Sequence, residues 1–428
     1  MKMERIGKYE IRRKLGEGAT STVYLGFDPF AQREVAIKRL HPAMLRVTDH
    51  TTLYHHMLLN EASLAGKLQH PHIVQIHDAV IDDRDAYVVM EYVPGGTLDA
   101  FTSPDKLLPF ERLIEIIFKC TRALDYAHLQ GVTHRDIKPA NILLTAPDGQ
   151  DIKISDFGAA IFTASETTQL PGLGSPAYMS PEQVREQPLD HRTDIYSLGV
   201  VMYQLLTGRL PFEGSSKATL AYKIAHETPP PPSSIRPEIP PELDAIVGKA
   251  MHCNISGRYA AWREFSHDLA QVYRHRHTVT DSTEPPDSEK FERLRAFRFF
   301  REFSDIEIWE IVRFAEWRLI PPGTVVMKEG EPGNYFCFVV QGELRIAKKS
   351  HLLNVLSAGD CFGEMALFAP GRGARTASVE TTTETRILTI RAPALLRASS
   401  LCQMHFYKGF LEVLASRLSL ANSRIASI

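Results

Sequence analysis

The fold of this chain is decided by the stretch His134-Arg135-Asp136-Ile137-Lys138-Pro139-Ala140-Asn141, which is followed by Asp156-Phe157-Gly158. Asp136 can take a proton from an attacking hydroxyl, and Lys138 can neutralise a phosphoryl group during its transfer. Asn141 and Asp156 carry oxygen ligands of the kind that Mg²⁺ needs when it bridges nucleotide phosphates. Each residue alone could belong to a solvated loop. All of them in this order, split by the strand-like run 151–154, indicate phosphoryl transfer.

This stretch resembles the catalytic loop and the metal-binding loop of the eukaryotic-type protein kinases, and Lys138 is the form seen in their serine/threonine branch. The resemblance implies a bilobal kinase fold with ATP and Mg²⁺ as cofactors. It assigns Asp136 as the base, or as the residue that orients the acceptor hydroxyl. It also implies that Asn141 and Asp156 hold the metal.

Upstream, Gly16 and Gly18 interrupt alternating apolar residues, as in a hairpin whose tip approaches a ligand closely. Glycine there lets backbone N–H groups lie over phosphate oxygens, although the pair alone fits a plain turn equally well. Ser21 replaces the third glycine of the kinase pattern and is small enough not to block the site. By resemblance, ATP is expected to be bound by Gly16, Gly18, Ser21, Val23, Ala36, Lys38, Met90, Glu91 and Val93.

Lys38 ends a strand-like run, and Glu61 lies on the next predicted helix. The resemblance assigns Lys38 to the α- and β-phosphates and Glu61 to the ion pair that holds Lys38 in place. It puts Met90 at the back of the adenine pocket, where core packing is a second role. It also implies that residues 91–93 offer backbone hydrogen bonds to adenine.

The resemblance covers residues 9–273, with a small lobe at 9–93 and a large lobe at 94–273. In the large lobe, residues 110–130 are predicted to form an amphipathic helix that supports the catalytic loop. Cys120 lies on the apolar stripe of that helix and is interpreted as a core residue rather than a nucleophile.

Glu182 and Arg258 correspond to a buried ion pair of the kinase large lobe. The polar segment that precedes Glu182 resembles an activation loop, and Thr167 and Thr168 are its candidate phosphosites. A phosphate on either threonine could pair with Arg135 and order the loop. The alternative is a polar loop that is never phosphorylated.

The segment 274–290 is polar, contains prolines and is predicted to be a linker. In the following domain, residues 291–428, helical patterning up to Trp317 is followed by short strand-like runs between glycine turns. This pattern predicts a helix-flanked β jelly roll or small barrel, and taken alone it fits any cupin-like fold. The fold class is therefore α+β, with two domains.

Residues 362–379 indicate one kind of ligand. A cyclic nucleotide has a phosphate closed onto its ribose and a free 2′-hydroxyl, so its site needs an anion receptor beside a hydroxyl acceptor. Arg375 can pair with the phosphate, and Glu364 can accept from the hydroxyl. The segment resembles the phosphate-binding cassette of cyclic-nucleotide-binding domains, such as that of the cyclic-AMP receptor protein. The resemblance implies a site for cyclic AMP or cyclic GMP formed by Gly363, Glu364, Ala366, Arg375, Thr376 and Ala377.

Two points around this cassette stay open at this level. The interval between Glu364 and Arg375 is longer than in the family, which makes Arg372 a rival phosphate contact. Phe406 and Tyr407 belong to a predicted helical tail, and in the family the terminal helix caps the nucleotide. They are therefore candidate base-stacking residues, with core packing as the alternative.

Composition limits the kinds of partner and the cellular compartment that are expected for the chain. It has 428 residues and a formal net charge of -2, which gives no argument for binding nucleic acid or an anionic membrane. No signal peptide is evident, and the most apolar run, residues 195–206, is too short to span a bilayer. The five cysteines show no paired spacing, so neither a disulfide framework nor a zinc site is predicted and a reducing cytosol is expected.

The sequence thus predicts a cytoplasmic serine/threonine kinase that acts on protein substrates and is regulated by a cyclic nucleotide, with a homodimer left open. One alternative is a constitutive kinase whose C-terminal domain is a docking or dimerisation module without a ligand. Another is a scaffold with an inactive kinase, which the intact set of Lys38, Asp136 and Asp156 disfavours.

Overall fold

The chain folds into two compact units, which divide between His275 and Arg276. The structure is a computed structural model, and it describes residues 5–18, 20–41, 58–59, 61, 63–64, 66–81, 85–147, 149, 151–157, 161–162, 176–277, 284–365 and 374–426.

The first unit begins with an antiparallel sheet of six strands. They are β1 (Arg5–Ile6), β2 (Tyr9–Glu17), β3 (Ser21–Asp28), β4 (Arg33–Leu40), β5 (Ile76–Ile81) and β6 (Ala86–Glu91), in the spatial order β1-β2-β3-β4-β6-β5. Successive side chains of a strand face opposite sides of its sheet. In the apolar strand β6, Val88 and Met90 pack into one core, and Tyr87 and Val89 pack into the other.

Helices form most of the remainder of this unit. They are α1 (Phe110–Leu129), α2 (Pro181–Val184), α3 (Arg192–Thr207), α4 (Lys217–His226), α5 (Pro241–Ala250) and α6 (Trp262–His277). The helix α1 agrees with the predicted amphipathic helix. Cys120 is fully buried in it, and this burial raises the pKa of its thiol, which supports a core role.

Four short strands carry the catalytic stretch. They are β7 (Val132–Thr133), β8 (Ile142–Leu144), β9 (Ile152–Ile154) and β10 (Ile161–Phe162), which pair as β7 with β10 and β8 with β9. Strand β8 directly follows Asn141, and β9 ends two residues before Asp156. The backbone N–H of Ser155 donates to the carbonyl of Asn141 at 2.9 Å, so this pairing brings the two predicted metal ligands to one place.

The predicted linker, residues 274–290, contains the division between the two units and is helical at both of its ends. The helix α6 continues to His277, and α7 (Asp287–Ala296) begins directly after Pro286. Proline has no backbone N–H, and the start of a helix leaves such groups unused, so a proline before a helix starts it rather than breaks it. Residues 278–283 lie outside the described part of the chain.

The second unit combines helices with two four-stranded antiparallel sheets. Its remaining helices are α8 (Asp305–Phe314), α9 (Ala392–Leu395) and α10 (Ser400–Ala426). One sheet has the order β11-β18-β13-β16, from β11 (Glu316–Ile320), β18 (Thr385–Arg391), β13 (Tyr335–Gln341) and β16 (Cys361–Phe362). The other has the order β12-β17-β14-β15, from β12 (Val325–Met327), β17 (Ser378–Thr381), β14 (Leu344–Lys348) and β15 (His351–Leu356).

One apolar core joins the two sheets. It includes Cys337 and Ile387 from the first sheet with Leu344 and Val379 from the second. This arrangement agrees with the predicted helix-flanked β domain. Its helical start is shorter than predicted, because α8 ends at Phe314 and the following residues enter β11.

No helix in the described ranges is long and apolar enough to cross a membrane. All five cysteines fall within these ranges and are free thiols.

Candidate functional site

The backbone of the catalytic stretch is held by one buried carboxylate. Asp194, in the first turn of α3, accepts the N–H groups of His134 at 2.7 Å and Arg135 at 2.8 Å. Burial raises the pKa of Asp194, and His134 and the two N–H donors oppose that rise. Arg135 has a left-handed backbone, with φ of 69°, which is strained for a residue other than glycine. The two hydrogen bonds hold this strained turn immediately before Asp136.

The carboxylate of Asp136 is fixed on one side. Lys138 Nζ donates to its Oδ2 at 2.7 Å, and Asn141 Nδ2 donates to the same oxygen at 3.2 Å and to the Asp136 carbonyl at 2.8 Å. Within the described part of the chain, Oδ1 has no hydrogen-bond partner. One oxygen of the carboxylate is therefore held by two donors, and the other is open, an arrangement that suits an acceptor of a hydroxyl hydrogen.

Lys38 joins two carboxylates. Its Nζ lies 3.0 Å from Glu61 Oε2 and 2.5 Å from Asp156 Oδ1. Burial alone would lower the pKa of Lys38, but the charges of Asp156 and Glu61 outweigh it and raise that pKa. Burial also raises the pKa of Glu61, against the opposing charge of Lys38. The amine therefore stays cationic, as phosphate binding requires.

Asp156 and Asn141 together fit a magnesium ion. Burial would raise the pKa of Asp156, but the charge of Lys38 lowers it, so the carboxylate stays ionised. Because Asn141 turns its amide nitrogen toward Asp136, its oxygen faces away and has no partner among the residues described. Carboxylate and amide oxygens are ligands that Mg²⁺ prefers.

An apolar cluster lies beside this polar set. It contains four of the predicted ATP-binding residues, Val23, Ala36, Met90 and Val93. Leu15 and Leu143 also belong to the cluster, although the sequence did not single them out. Both are apolar strand residues close to a motif residue, and this closeness could have identified them. Leu15 directly precedes Gly16, and Leu143 follows Asn141 by two residues.

The backbone of residues 91–93, which begin at the last residue of β6, is the part predicted to bind adenine. The backbone N–H of Glu91 donates to the carbonyl of Gln75 at 2.8 Å, so this N–H is not free for adenine. Val93 lies outside the strands, and its backbone groups have no hydrogen-bond partner among the described residues. The backbone contacts of residues 91–93 with adenine stay a prediction.

The glycine turn between β2 and β3 is closed by a hydrogen bond from the N–H of Gly18 to the carbonyl of Ser21 at 2.8 Å. A Cβ atom added at Gly16 would meet nothing within 4 Å, so the space next to the turn is open. Ser21 is buried at the start of β3, and its role in ATP binding stays a prediction.

Glu182 and Arg258 form the predicted buried pair. The two guanidinium Nη atoms donate to the two carboxylate oxygens at 2.7 and 2.8 Å. Thr193 also donates to Glu182, at 2.8 Å. Burial would raise the pKa of Glu182, but the Arg258 hydrogen bonds lower it below its ordinary value. The neighbouring Gln183 donates to the carbonyl of Arg135 at 2.9 Å, which ties the pair to the catalytic stretch.

Several predicted positions lie outside the described residues. They are Gly158, the candidate phosphosites Thr167 and Thr168, and, in the second unit, Ala366 and Arg372.

The second unit contains a cavity of about 520 Å³ between its sheets and α10. Five of the predicted nucleotide-binding residues line it, namely Gly363, Glu364, Arg375, Thr376 and Ala377. Phe406 and Tyr407 are not among its lining residues. Phe406 is instead fully buried against the rings of Phe303 and Phe336, so its interpretation as a base-stacking residue is wrong.

Arg375 places a buried positive charge in this cavity. It is 6% exposed and donates to the carbonyls of Gly363 at 3.0 Å and Tyr335 at 2.9 Å. Its guanidinium also lies 4.3 Å from the centre of the Tyr335 ring. Within the described ranges, it has no carboxylate partner. Because a buried charge needs compensation, the site is suited to an anion.

Glu364 places a buried negative charge in the same cavity as Arg375. It is 1% exposed, and its Oε1 accepts from Arg417 of α10 at 2.5 Å. Its Oε2 is buried without a partner among the residues described. Arg417 was not predicted, because it follows Glu364 by more than fifty residues in the chain and no local pattern marks it. The cavity therefore offers both a receptor for an anion and an acceptor for a hydroxyl group.

Comparison with known proteins gives two domain matches. Residues 9–270 match the family model of the protein kinase domain, and residues 317–400 match that of the cyclic nucleotide-binding domain. The first match covers more than half of the chain.

The similar curated proteins are bacterial kinases. The serine/threonine-protein kinase PknB of Mycobacterium leprae is 38% identical over 290 residues, which are 66% of this chain and 44% of the relative. PknB of Mycolicibacterium smegmatis is 38% identical over 274 residues, or 62% of this chain and 43% of the relative. The probable serine/threonine-protein kinase SCO3848 of Streptomyces coelicolor is 40% identical over 274 residues, or 61% and 39%. The chain thus spans less than half the length of these relatives.

Proposed function

This chain belongs to the protein kinase family, and from that premise we propose that it transfers the γ-phosphate of ATP to serine or threonine hydroxyl groups of proteins. The observation that carries the proposal is the connected set of Lys38, Glu61 and Asp156 beside an oriented Asp136. A kinase that had lost its activity would be expected to lack one of these groups.

The proposed roles follow from the hydrogen bonds. Asp136 accepts the hydrogen of the substrate hydroxyl through Oδ1, which has no partner among the described residues, because Lys138 and Asn141 occupy and orient the other oxygen. Lys138 also supplies positive charge where negative charge moves during transfer. Lys38, kept cationic by Glu61 and Asp156, binds nucleotide phosphates. Magnesium held by Asn141 and Asp156 would neutralise and bridge those phosphates.

The kinase proposal is tested by ATP-dependent phosphorylation of the chain itself and of dephosphorylated casein. Asp136→Asn removes the acceptor charge but keeps the shape, so we expect the rate to fall about 100- to 10,000-fold. The matched control is Asp105→Asn, at an exposed position of the same unit, which should keep the wild-type rate. Equal rates for wild type and Asp136→Asn would contradict the proposal.

We further propose that the second unit binds cyclic AMP or cyclic GMP and thereby changes the kinase rate. Support comes from two groups that line one cavity, the buried Arg375 and Glu364. Among the residues that the structure describes, Arg375 has no carboxylate partner and Glu364 Oε2 has no hydrogen-bond donor. A ligand can shift an equilibrium between two kinase states only if it binds them with different affinities. In the alternative, a docking module without a ligand, Arg375 would have no anion to bind and Glu364 Oε2 would have no hydrogen-bond donor.

We keep the reducing cytosol as the proposed setting of the protein. This proposal is supported by the five cysteines, which all lie in the described ranges and are free thiols.

A further inference from the structure

The first unit contains a cavity of about 490 Å³ that none of the predicted site residues line. It lies between α3, α5 and the two chain segments that precede and follow α5, and we call it the α5 cavity. Its size is that of pockets which hold small ligands. It is separate from the predicted ATP-binding residues and from the cavity of the second unit.

The wall of the α5 cavity is largely apolar and partly rigid. Four consecutive prolines, residues 229–232, line it together with Val247 and Met251. Each proline ring fixes its backbone φ, so this part of the wall needs little ordering when a ligand binds. Gly248 lines the cavity from α5, and a Cβ atom added there would meet nothing within 4 Å. The helix therefore leaves open space at this point.

Tyr203 brings a buried polar group to this cavity. It belongs to α3, lines the cavity and is only 1% exposed. Among the residues that the structure describes, its hydroxyl group has no hydrogen-bond partner, and only its backbone carbonyl accepts a side-chain bond. Burial raises the pKa of this hydroxyl, and the charge of Asp244 raises it further, so the group keeps its proton at neutral pH. It can therefore both donate to a ligand and accept from one.

The acidic residues at the α5 cavity have no basic counterpart there. Glu227 and Asp244 line the cavity, and none of the lysines and arginines in the described ranges does. Asp244 is fixed, because its two oxygens accept the backbone N–H of Ser233, at 2.9 Å, and the Ser233 hydroxyl. Glu227 is exposed, and its carboxylate has no ion-pair partner within the described part of the chain. Two carboxylates at one cavity favour a ligand of positive charge.

We propose that the α5 cavity binds a small organic cation, whose apolar body packs against the prolines and whose charged group is stabilised by Glu227 and Asp244. Tyr203 supplies the buried hydrogen-bonding group. Because Tyr203 is 1% exposed, a small molecule can reach it where the surface of a folded protein cannot. The proposal adds a ligand site to the first unit, and it depends neither on the ATP site nor on the proposed nucleotide site.

The test measures the binding of three matched probes to the full chain by ligand-observed NMR. Phenylbutylamine, phenylbutanol and phenylbutyrate share an aromatic ring and an alkyl chain and differ in charge. We expect the amine to bind about 3- to 30-fold more tightly than the alcohol, because only the amine gains charged contacts with the two acids. The carboxylate probe should bind most weakly, because the same acids repel it.

A variant that fills the cavity tests the place of binding. Gly248→Leu adds a side chain to the open space, and it also favours the helix, since leucine is a better helix former than glycine. We expect all three probes to lose more than about tenfold in affinity. The matched control is Ala245→Leu, which adds similar bulk at an exposed position of α5 that does not line the cavity. This variant should keep the wild-type affinities.

Two further variants test the polar groups. Tyr203→Phe removes only the hydroxyl, so we expect the amine to bind about 2- to 10-fold more weakly in a folded protein. Glu227→Gln should lower the preference for the amine over the alcohol by about 2- to 5-fold. Glu242→Gln, at an exposed residue of α5 outside the cavity, is the control and should keep this preference. Thermal unfolding of each variant shows that the first unit is folded during the measurement.

The outcomes are distinct. Equal binding of the three probes by wild type, or no binding of the amine at millimolar concentration, overturns the proposal. Wild-type affinity for the amine in Gly248→Leu places the amine elsewhere on the chain and overturns it as well. If Gly248→Leu does not fold, Tyr203→Phe and Glu227→Gln decide, and an unchanged affinity for the amine in both refutes the site.

Discussion

At the scale of single residues, the candidate active site is built on backbone strain that neighbouring charges hold in place. Arg135 and Asp156 both have left-handed backbones, with φ of 69° and 62°. Such conformations cost free energy and persist only where the surroundings fix them. Asp194 fixes the first through two N–H bonds, and Lys38 fixes the second through its contact with the Asp156 carboxylate.

The buried ion pair of Glu182 and Arg258 is expected to stabilise the first unit. Glu182→Gln keeps the shape but leaves Arg258 buried without a charge partner. We expect the free energy of unfolding of the first unit to fall by about 3–5 kcal/mol at pH 7. The measurement is urea unfolding, followed by hydrogen exchange of peptides from α3 and α6. Glu213→Gln, at an exposed position, is the control and should have little effect.

The same pair fixes the sign of a pH dependence. Because Arg258 lowers the pKa of Glu182 in the folded state, the unfolded chain binds the proton more readily, so the pair stabilises the fold above the ordinary pKa of 4.5. This contribution is lost as the pH falls through the lowered pKa. The difference between wild type and Glu182→Gln should therefore shrink below pH 4.5. A difference that stays constant down to pH 3 would contradict this account.

At the scale of elements, the helix α10 has two kinds of contact. Its first part packs aromatic side chains into the core, and its far part reaches the cavity through Arg417. The sequence indicated a helical tail but left Phe406 open between the core and the ligand. The structure places it in the core, against the rings of Phe300 and Phe336, which come from two segments distant from α10 in the chain.

Phe406→Ala should therefore act on stability rather than on base recognition. Removal of a fully buried ring leaves a cavity, and we expect the second unit to lose about 3–5 kcal/mol of its free energy of unfolding. Hydrogen exchange of peptides from α10 and β13 measures this loss in the full chain. Leu411→Ala, at a side chain that is 68% exposed, is the matched control. A wild-type stability combined with weakened nucleotide binding would restore the stacking interpretation.

At the scale of the whole molecule, the sequence predicted those site residues that lie close to each other in the chain. Asp136, Lys138 and Asn141 lie within six residues of each other and are hydrogen-bonded, so their spacing in the sequence was enough to predict the proposed chemistry. The pairing of Lys38 with Glu61 was accessible only through resemblance, since the two lie on different elements. Arg417 was missed because a contact between a loop and a distant helix leaves no periodic or local signal. The helical ends of the linker were not predicted, because Pro286 precedes a helix rather than breaking one.

The proposal for the whole molecule is that two units share one equilibrium. If the ligand of the second unit binds two kinase states with different affinities, it must change their populations by that ratio. The ligand can raise or lower the kinase rate, depending on which of the two kinase states it binds more tightly. The alternative of a docking module makes the kinase rate independent of the nucleotide.

The most direct test of this claim is the rate of ATP-dependent phosphorylation by the full chain with no nucleotide, with cyclic AMP and with cyclic GMP. We expect one of the two nucleotides to change the rate about 5- to 150-fold, the usual range of coupling between sites. Arg375→Ala should lose this response, because it removes the buried anion receptor. An unchanged rate with both nucleotides, or a full response in Arg375→Ala, would contradict the account.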